Sequence, residues 1–217
     1  MSSYKLIRSF RKSISIRVDE EGELIVRAPL VTSKRFIESF LESKKTWIDK
    51  QISKVDKPKY FIEGEKFLFM GEEYELRVNN KIKEKITLQD DFLIRKLGTK
   101  VEVKKLVESW YKEEARKYFT DRLNEFSEEF DFQFRSLKLS GAKTRWGSCS
   151  SVNNINLNWK LIMAPPEVID YVILHELVHT KTKNHSETFW QGVEAVCPDY
   201  KVKRKWLKQN GYNLKLS

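Results

Sequence analysis

The sequence predicts an α+β protein, and three observations carry that prediction. Short segments of alternating apolar and polar residues crowd residues 1–98. A long stretch without Pro or Gly follows, with apolar residues at helical spacing. Helical periodicity then returns in the C-terminal portion, after two more strand-like segments.

Residues 12–28 hold two alternating runs, SISIRV and ELIVRA, separated by the turn-like DEEG, the pattern of a half-buried β-hairpin. Between Ser33 and Val55, Phe36, Ile37, Phe40, Leu41, Trp47, Ile48 and Ile52 fall mostly at helical spacing. One or two helices fit there, with Ser33 as N-cap. Residues 60–96 return to short strands: KFLFM and YELRV flank Gly71, and KITLQ and FLIRK flank Asp90 and Asp91. Residues 1–98 therefore read as a β-rich N-terminal portion with one or two helices, and 99–217 as a second, more helical domain.

From Thr99 to about Phe130, apolar residues from Val103 through Tyr111 and Phe119 to Phe126 predict one long amphipathic helix. FQFRSLKLS (132–140) predicts a strand, GAKTRWGSCSSVNN a loop and INLNWKL a second strand. Pro165 and Pro166 suit the first turn of a helix from about Glu167 to Thr182. Two further helices are predicted near 186–196 and 200–210, with Gly211 as the stop signal.

Composition excludes several classes. No run approaches the roughly 18 to 20 apolar residues of a membrane span, and MSSYKLIRSFRKS has no apolar signal-peptide core, which predicts a cytoplasmic protein. Two cysteines, Cys149 and Cys197, are too few for a disulfide framework and form no CxxC pair, so both read as reduced packing residues. The formal charge is +10, and residues 133–217 carry 13 basic against 6 acidic residues. That asymmetry favours nucleic acid or an acidic partner; a Lys-rich composition also serves solubility.

The chemistry concentrates in Val172-Ile173-Leu174-His175-Glu176-Leu177-Val178-His179, an HExxH pattern on a predicted helix. Residues four apart on a helix sit about 40° apart around its axis, so both imidazoles leave one face and can bind one ion. Glu176 lies roughly 100° round from His175, placed to contact a metal-bound water. The chain has three histidines, and the third, His185, follows TKTKN, a stretch that ends the helix and lets the chain fold back. Three nitrogen ligands with an open water position are the pattern of catalytic zinc, whereas a structural site is closed by four ligands, usually including Cys. Glu176 is then the general base for attack on a carbonyl. An oxyanion stabiliser is also needed, with Arg145 or Tyr200 as candidates. Zinc peptidases that this HExxH segment resembles bind an extended substrate on the strand before the metal helix, which makes Asn156 and Asn158 candidates to line it. Phe189 and Trp190 are placed to pack the returning chain beneath the ligands.

TRWGSCSS (144–151), INLNWKLI, the HELVH helix, NHSETFW and PDYK with its terminal basic helix together resemble the YgjP-like metallopeptidase domain, related to SprT-like proteases. The hairpin ending in RAP (27–29) and the Trp47-Ile48 pair resemble the same family, so the likeness runs over nearly the whole chain. It implies an α+β, zincin-like metallopeptidase fold with Zn²⁺ held by His175, His179 and His185, and a protein or peptide substrate. The histidine spacing also equals that of the metzincins, but Thr182 replaces their glycine, and Met1, Met70 and Met163 all precede the site, so no Met-turn can form. A downstream Glu serves as third ligand in other zinc peptidases, which leaves Glu187 or Glu194 as alternatives to His185.

Two other functions fit parts of the sequence. H-x3-H-x5-H is also the spacing of a metal-dependent endoribonuclease family, though Glu176 directly after the first histidine is what peptide hydrolysis requires. KVKRKWLKQNGYNLKLS, with six basic residues, no acidic one and interleaved Trp206 and Tyr212, suits a zinc-stapled nucleic-acid-binding module.

Overall fold

The computed structural model describes residues 4–19, 22–52, 59–96, 98–142 and 144–216. Mixed α+β structure is observed, as the sequence predicts, and the chain divides into two compact units, Met1–Lys59 and Tyr60–Leu216.

In the first unit, β2 (Ser15–Val18) and β3 (Leu24–Pro29) form the expected antiparallel pair. Glu20 and Glu21 of its turn, and residues 53–55 of the predicted helical stretch, lie outside the described residues. β3 is central, because β1 (Tyr4–Ser9) pairs with its other edge in parallel. Sequence reading missed β1, since Leu6 and Ile7 stand side by side and break the alternation after three residues. Two helices follow, α1 (Lys34–Ser43), capped by the Ser33 hydroxyl accepting from the Phe36 N–H at 3.2 Å, and α2 (Lys45–Ile52). Leu24, Val26 and Ala28, alternate residues of β3, join Ile37, Leu41 and Ile48 in a small core.

The second unit begins with a four-stranded sheet of order β4-β5-β7-β6, made of β4 (Lys66–Phe69), β5 (Glu72–Val78), β6 (Ile86–Leu88) and β7 (Phe92–Ile94). Met70 and Gly71 form the two-residue turn of the β4–β5 hairpin, both at positive φ (50° and 85°), which is why a glycine stands there. The long helix α3 (Lys100–Glu129) starts at a capping box in which Thr99 and Glu102 bond reciprocally. Its buried residues step by four from Val103 through Val107, Tyr111, Ala115 and Phe119 to Leu123. Each step of four overshoots a full turn by about 40°, so over these five steps the apolar stripe winds about 200° around the helix. The first half of α3 thus faces the sheet, where Tyr111 stacks on Phe92 at 5.6 Å and donates to the Leu68 carbonyl. The second half faces α4 (Pro166–Lys181), where Arg122 forks onto Asp170 at 2.7 and 2.9 Å. One helix therefore serves two neighbours, and the expected domain break at 98/99 falls inside the second unit.

The remaining sheet has order β8-β10-β9, with β8 (Ser136–Ser140) parallel to β10 (Asn154–Asn158) and β9 (Gly147–Cys149) antiparallel to it. β9 lies inside the predicted 141–154 loop, and INLNWKL is a strand only as far as Asn158. A 3-10 helix, Trp159–Met163, takes over and accepts bonds from Met70 and Gly71 N–H groups through the Ile162 and Met163 carbonyls at 2.9 and 3.1 Å. α4 is apolar nearly all round, which matches its burial on several sides. α5 (Glu187–Val196) and α6 (Tyr200–Asn210) complete the unit. Gly211 does cap α6, but at φ −58° the left-handed cap is not used. Its lack of a side chain matters because a Cβ there would lie 2.9 Å from the Trp146 ring. Among the described residues no helix is long and apolar enough to cross a membrane.

Candidate metal centre

His175 and His179 lie on α4, one turn apart, and the chain leaves the helix at Thr182 to bring His185 back to them. The return is pinned at both ends. Lys183 Nζ donates to the Ser150 carbonyl and the Asn153 side chain at 3.0 and 2.5 Å, and the Ser186 hydroxyl caps α5 through the Phe189 N–H. His185 Nε2 lies 3.2 Å from His179 Nε2 and 3.2 Å from His175 Nε2, and one ligand atom from each of the three falls within 4.8 Å of the others.

These separations fit a shared cation. Nitrogens at about 2.0–2.1 Å from a tetrahedral ion stand about 3.3 Å apart. The protonation pattern agrees. His179 Nδ1 lies 3.0 Å from the Thr182 carbonyl, which can only accept, so Nδ1 carries the proton and Nε2 presents its lone pair to the cluster. One N–H on His185 cannot point at both neighbouring nitrogens, whereas one ion between the three satisfies all of them. Burial holds the His175 imidazole down to about 3, helped by the two other histidines and Arg204, and burial also lowers His179. Neutral imidazoles are the form that ligates a metal. Beneath them lies Phe189, fully buried, stacked on His179 at 4.3 Å and edge-on to His175 and His185 at 4.9 and 4.8 Å. Trp190 stacks on His185 at 5.8 Å. Phe189 and Trp190 thus pack against the histidine rings.

Glu176 is 4% exposed, and its Oε2 is buried without a hydrogen-bond partner among the described residues. Burial pushes this carboxyl up to about 8, while the charge of Arg145 pulls it back down. The carboxyl fits because β9 presents a glycine to it: a Cβ on Gly147 would lie 2.5 Å from Glu176 Oε1 and 2.7 Å from its Cγ. Gly147 is in register with Leu157 of β10, so the sheet face carrying both looks toward α4.

The other residues singled out from the sequence fall in different places. Arg145 is exposed and acts electrostatically on Glu176. Asn156 and Asn158 alternate with Ile155 and Leu157, which places them on the sheet face opposite α4. Asn158 is 3% exposed and bonds within the fold, donating to the Ala142 carbonyl at 2.8 Å and accepting from the Lys160 N–H at 3.1 Å. β10 also has neighbours on both edges, so an added strand would have to pair with an outer strand, β8 or β9, instead. Tyr200 is buried against Trp190, with rings 5.4 Å apart, and does not line the cleft beside the histidines. Glu194 pairs with Lys201 at 3.4 Å, and among the described residues only the three histidines form a cluster that could hold an ion.

A cleft of about 340 Å³ adjoins His175 and Glu176, lined also by Gly147, Tyr171, Arg204 and Lys208. The sequence reading passed over the last four. Tyr171 stands four residues before His175, on the same helical face, and Gly147 stands in the TRWGSC segment that carried the resemblance, so both had a signal to find. Arg204 and Lys208 reach the cleft only through the packing of α6 on α4, which no local pattern announces.

No curated protein matches the chain. Among solved structures, the metallopeptidase zymogen of Pyrococcus abyssi abylysin is 26% identical, with a TM-score of 0.38, over 42% of this chain and 93% of its own. The metallopeptidase zymogen of Methanocaldococcus jannaschii jannalysin is 24% identical, with a TM-score of 0.35, over 40% of this chain and 93% of its own. The YgjP-like, metallopeptidase domain family matches residues 12–210. That match takes in both compact units and the histidine cluster, and on it the chain belongs to the YgjP-like family and is a metallopeptidase.

Proposed function

We propose that the protein is a zinc metallopeptidase in which His175, His179 and His185 hold the ion and Glu176 is the general base, with Tyr60–Leu216 forming a zincin-like catalytic unit. The observation that carries this reading is the convergence of three imidazole nitrogens, two pairs at 3.2 Å, beside a buried carboxylate on the same helical turn. When bound, zinc supplies Lewis-acid activation of water and polarisation of the peptide carbonyl.

The chain's own residues do the rest. Glu176 Oε2, buried and without a partner among the described residues, takes a proton from the attacking water and returns it to the leaving amine. Gly147 keeps the space the carboxyl occupies, and Arg145 favours its ionised form. Thr182 holds the His179 tautomer, and Phe189 fixes the planes of the ligand rings. The two free cysteines suit the reducing cytoplasm in which the protein is placed by this reading. Nucleic acid has weaker support, since Lys201 and Lys203 of the basic helix are paired to Glu194 and Asp199.

The test is elemental analysis together with cleavage of a protein substrate. Wild type should carry zinc and lose it on His175→Ala or His185→Ala, and chelation should abolish cleavage. Glu176→Gln should keep the zinc and lower kcat by about 10²–10⁴-fold. A folded wild type that binds no zinc when it is supplied, or a Glu176→Gln enzyme of unchanged rate, would overturn the reading.

A further inference from the structure

We propose that the cleft beside His175 and Glu176 is a subsite for a carboxylate on the peptide substrate, from an acidic side chain or from the chain's own C-terminus, with Arg204 and Lys208 as the groups that recognise it. The inference rests on the metallopeptidase reading above and names the chemistry of its substrate.

The cleft lies between α4, which contributes Tyr171, His175 and Glu176, and α6, which contributes Arg204 and Lys208. The two cations stand four residues apart and so share one face of α6. Glu176, on the other helix, is the one acid in the lining among the described residues, and its place is at the histidines. Lys201 pairs with Glu194 and Lys203 with Asp199, at 3.4 and 2.6 Å. Among the described residues Arg204, Lys205 and Lys208 have no acidic partner, and of these three only Arg204 and Lys208 line the cleft.

Arg204 is also held in place. Its guanidinium carbon lies 4.7 Å from the centre of the Trp190 ring, a cation–π contact, and Trp190 also stacks with Tyr200 and with His185, at interplanar angles of 20° and 28°. A cation–π contact holds a guanidinium without consuming its N–H donors, which stay available to a carboxylate. Because Trp190 contacts both Arg204 and His185, a carboxylate on Arg204 and a scissile bond at the histidines belong to neighbouring parts of one substrate. A neutral or basic peptide would leave both of these exposed cations without an acidic partner, so the subsite selects by charge.

The test uses the zinc-loaded full chain carrying Glu176→Gln, which binds without turnover, and four fluorescein-labelled peptides of one sequence. They carry Glu or Gln internally and end in a free acid or an amide. Fluorescence anisotropy should show the acidic peptides binding about fivefold more tightly than the Gln, amide peptide, the upper range for a partly solvated ion pair. Whichever single change removes the difference identifies the source of the carboxylate. Adding Arg204→Gln should erase the preference, and Arg204→Glu should reverse it toward a Lys-containing peptide. Equal affinity for all four peptides, or a preference that survives both Arg204→Gln and Lys208→Gln, would overturn the proposal. So would displacement by single-stranded DNA at concentrations below those of the peptide itself, which would assign the cleft to nucleic acid. Failure of the peptidase reading has a separate signature: the charge preference persists while the zinc-loaded wild type cleaves none of the four peptides.

Discussion

The two compact units cover a sheet with helices on very different scales. In Met1–Lys59, six apolar side chains are buried among the described residues, and each helix offers one face to one side of a three-stranded sheet. In Tyr60–Leu216 the core extends from Phe61 to Leu216 and takes in most of the circumference of α4. The candidate site lies wholly in the larger unit, and energetics supply the reason. Glu176 and His179 are 4% and 8% exposed, and withdrawing such groups from water costs several kcal/mol unless surrounding apolar burial offsets it. A core of six side chains has little to spare, whereas burial per residue rises with the size of the packed unit.

The sharpest way to break this comparison is to remove apolar support from under the site. Phe189→Ala empties the floor beneath all three histidines and should cost about 3–5 kcal/mol of unfolding free energy. Denaturant melts should show the loss, and a competition titration with a chelator should show weaker zinc binding. If stability falls and zinc affinity is unchanged, the floor is plain core and the link between core size and site fails.

A smaller change sharpens the point. Gly147→Ala adds one methyl where Glu176 already sits, 2.5 Å from the new Cβ position. The carboxyl must shift, and displacement of a catalytic group by about 1 Å costs about 10²-fold in rate. Steady-state kinetics should show that drop in kcat with zinc content unaltered. An unchanged kcat would show that Glu176 has room to spare.

The gentlest test leaves the sequence intact. Amide hydrogen exchange should be at least about tenfold faster in β3 and α1 than in the middle of α3 and in α4, because local opening costs less where less surface is buried. Equal protection in both units would mean that the small core is as stable as the large one.

Much of this was legible beforehand, for identifiable reasons. The Ser33 cap, the β2–β3 pair, the span of α3 and the His175/His179 face are local properties, set by dihedral preferences and by periods of 2 and 3.6 residues. β1 was not legible, since Tyr4–Ser9 becomes a strand through pairing with β3, twenty residues away in register. Nor was β9, where Gly147, Ser148 and Cys149 have no strand preference and are extended because β10 lies beside them. Asn156 and Asn158 are candidate substrate contacts only by likeness to related peptidases, since their alternation with Ile155 and Leu157 also describes a half-exposed strand and does not say which face meets the helix.

The sequence by itself determined the residues proposed for the site: three histidines and one glutamate, spaced so that a single helical turn and one return loop supply them, because helix geometry is local and the same in every protein. Only the tertiary structure decided what surrounds those residues. The opening at Gly147 that admits Glu176, the aromatic floor of Phe189 and the two cations of α6 come from elements distant in the chain. Their positions follow from apolar burial, which is non-directional and leaves no periodic trace in the sequence to say which surfaces will meet.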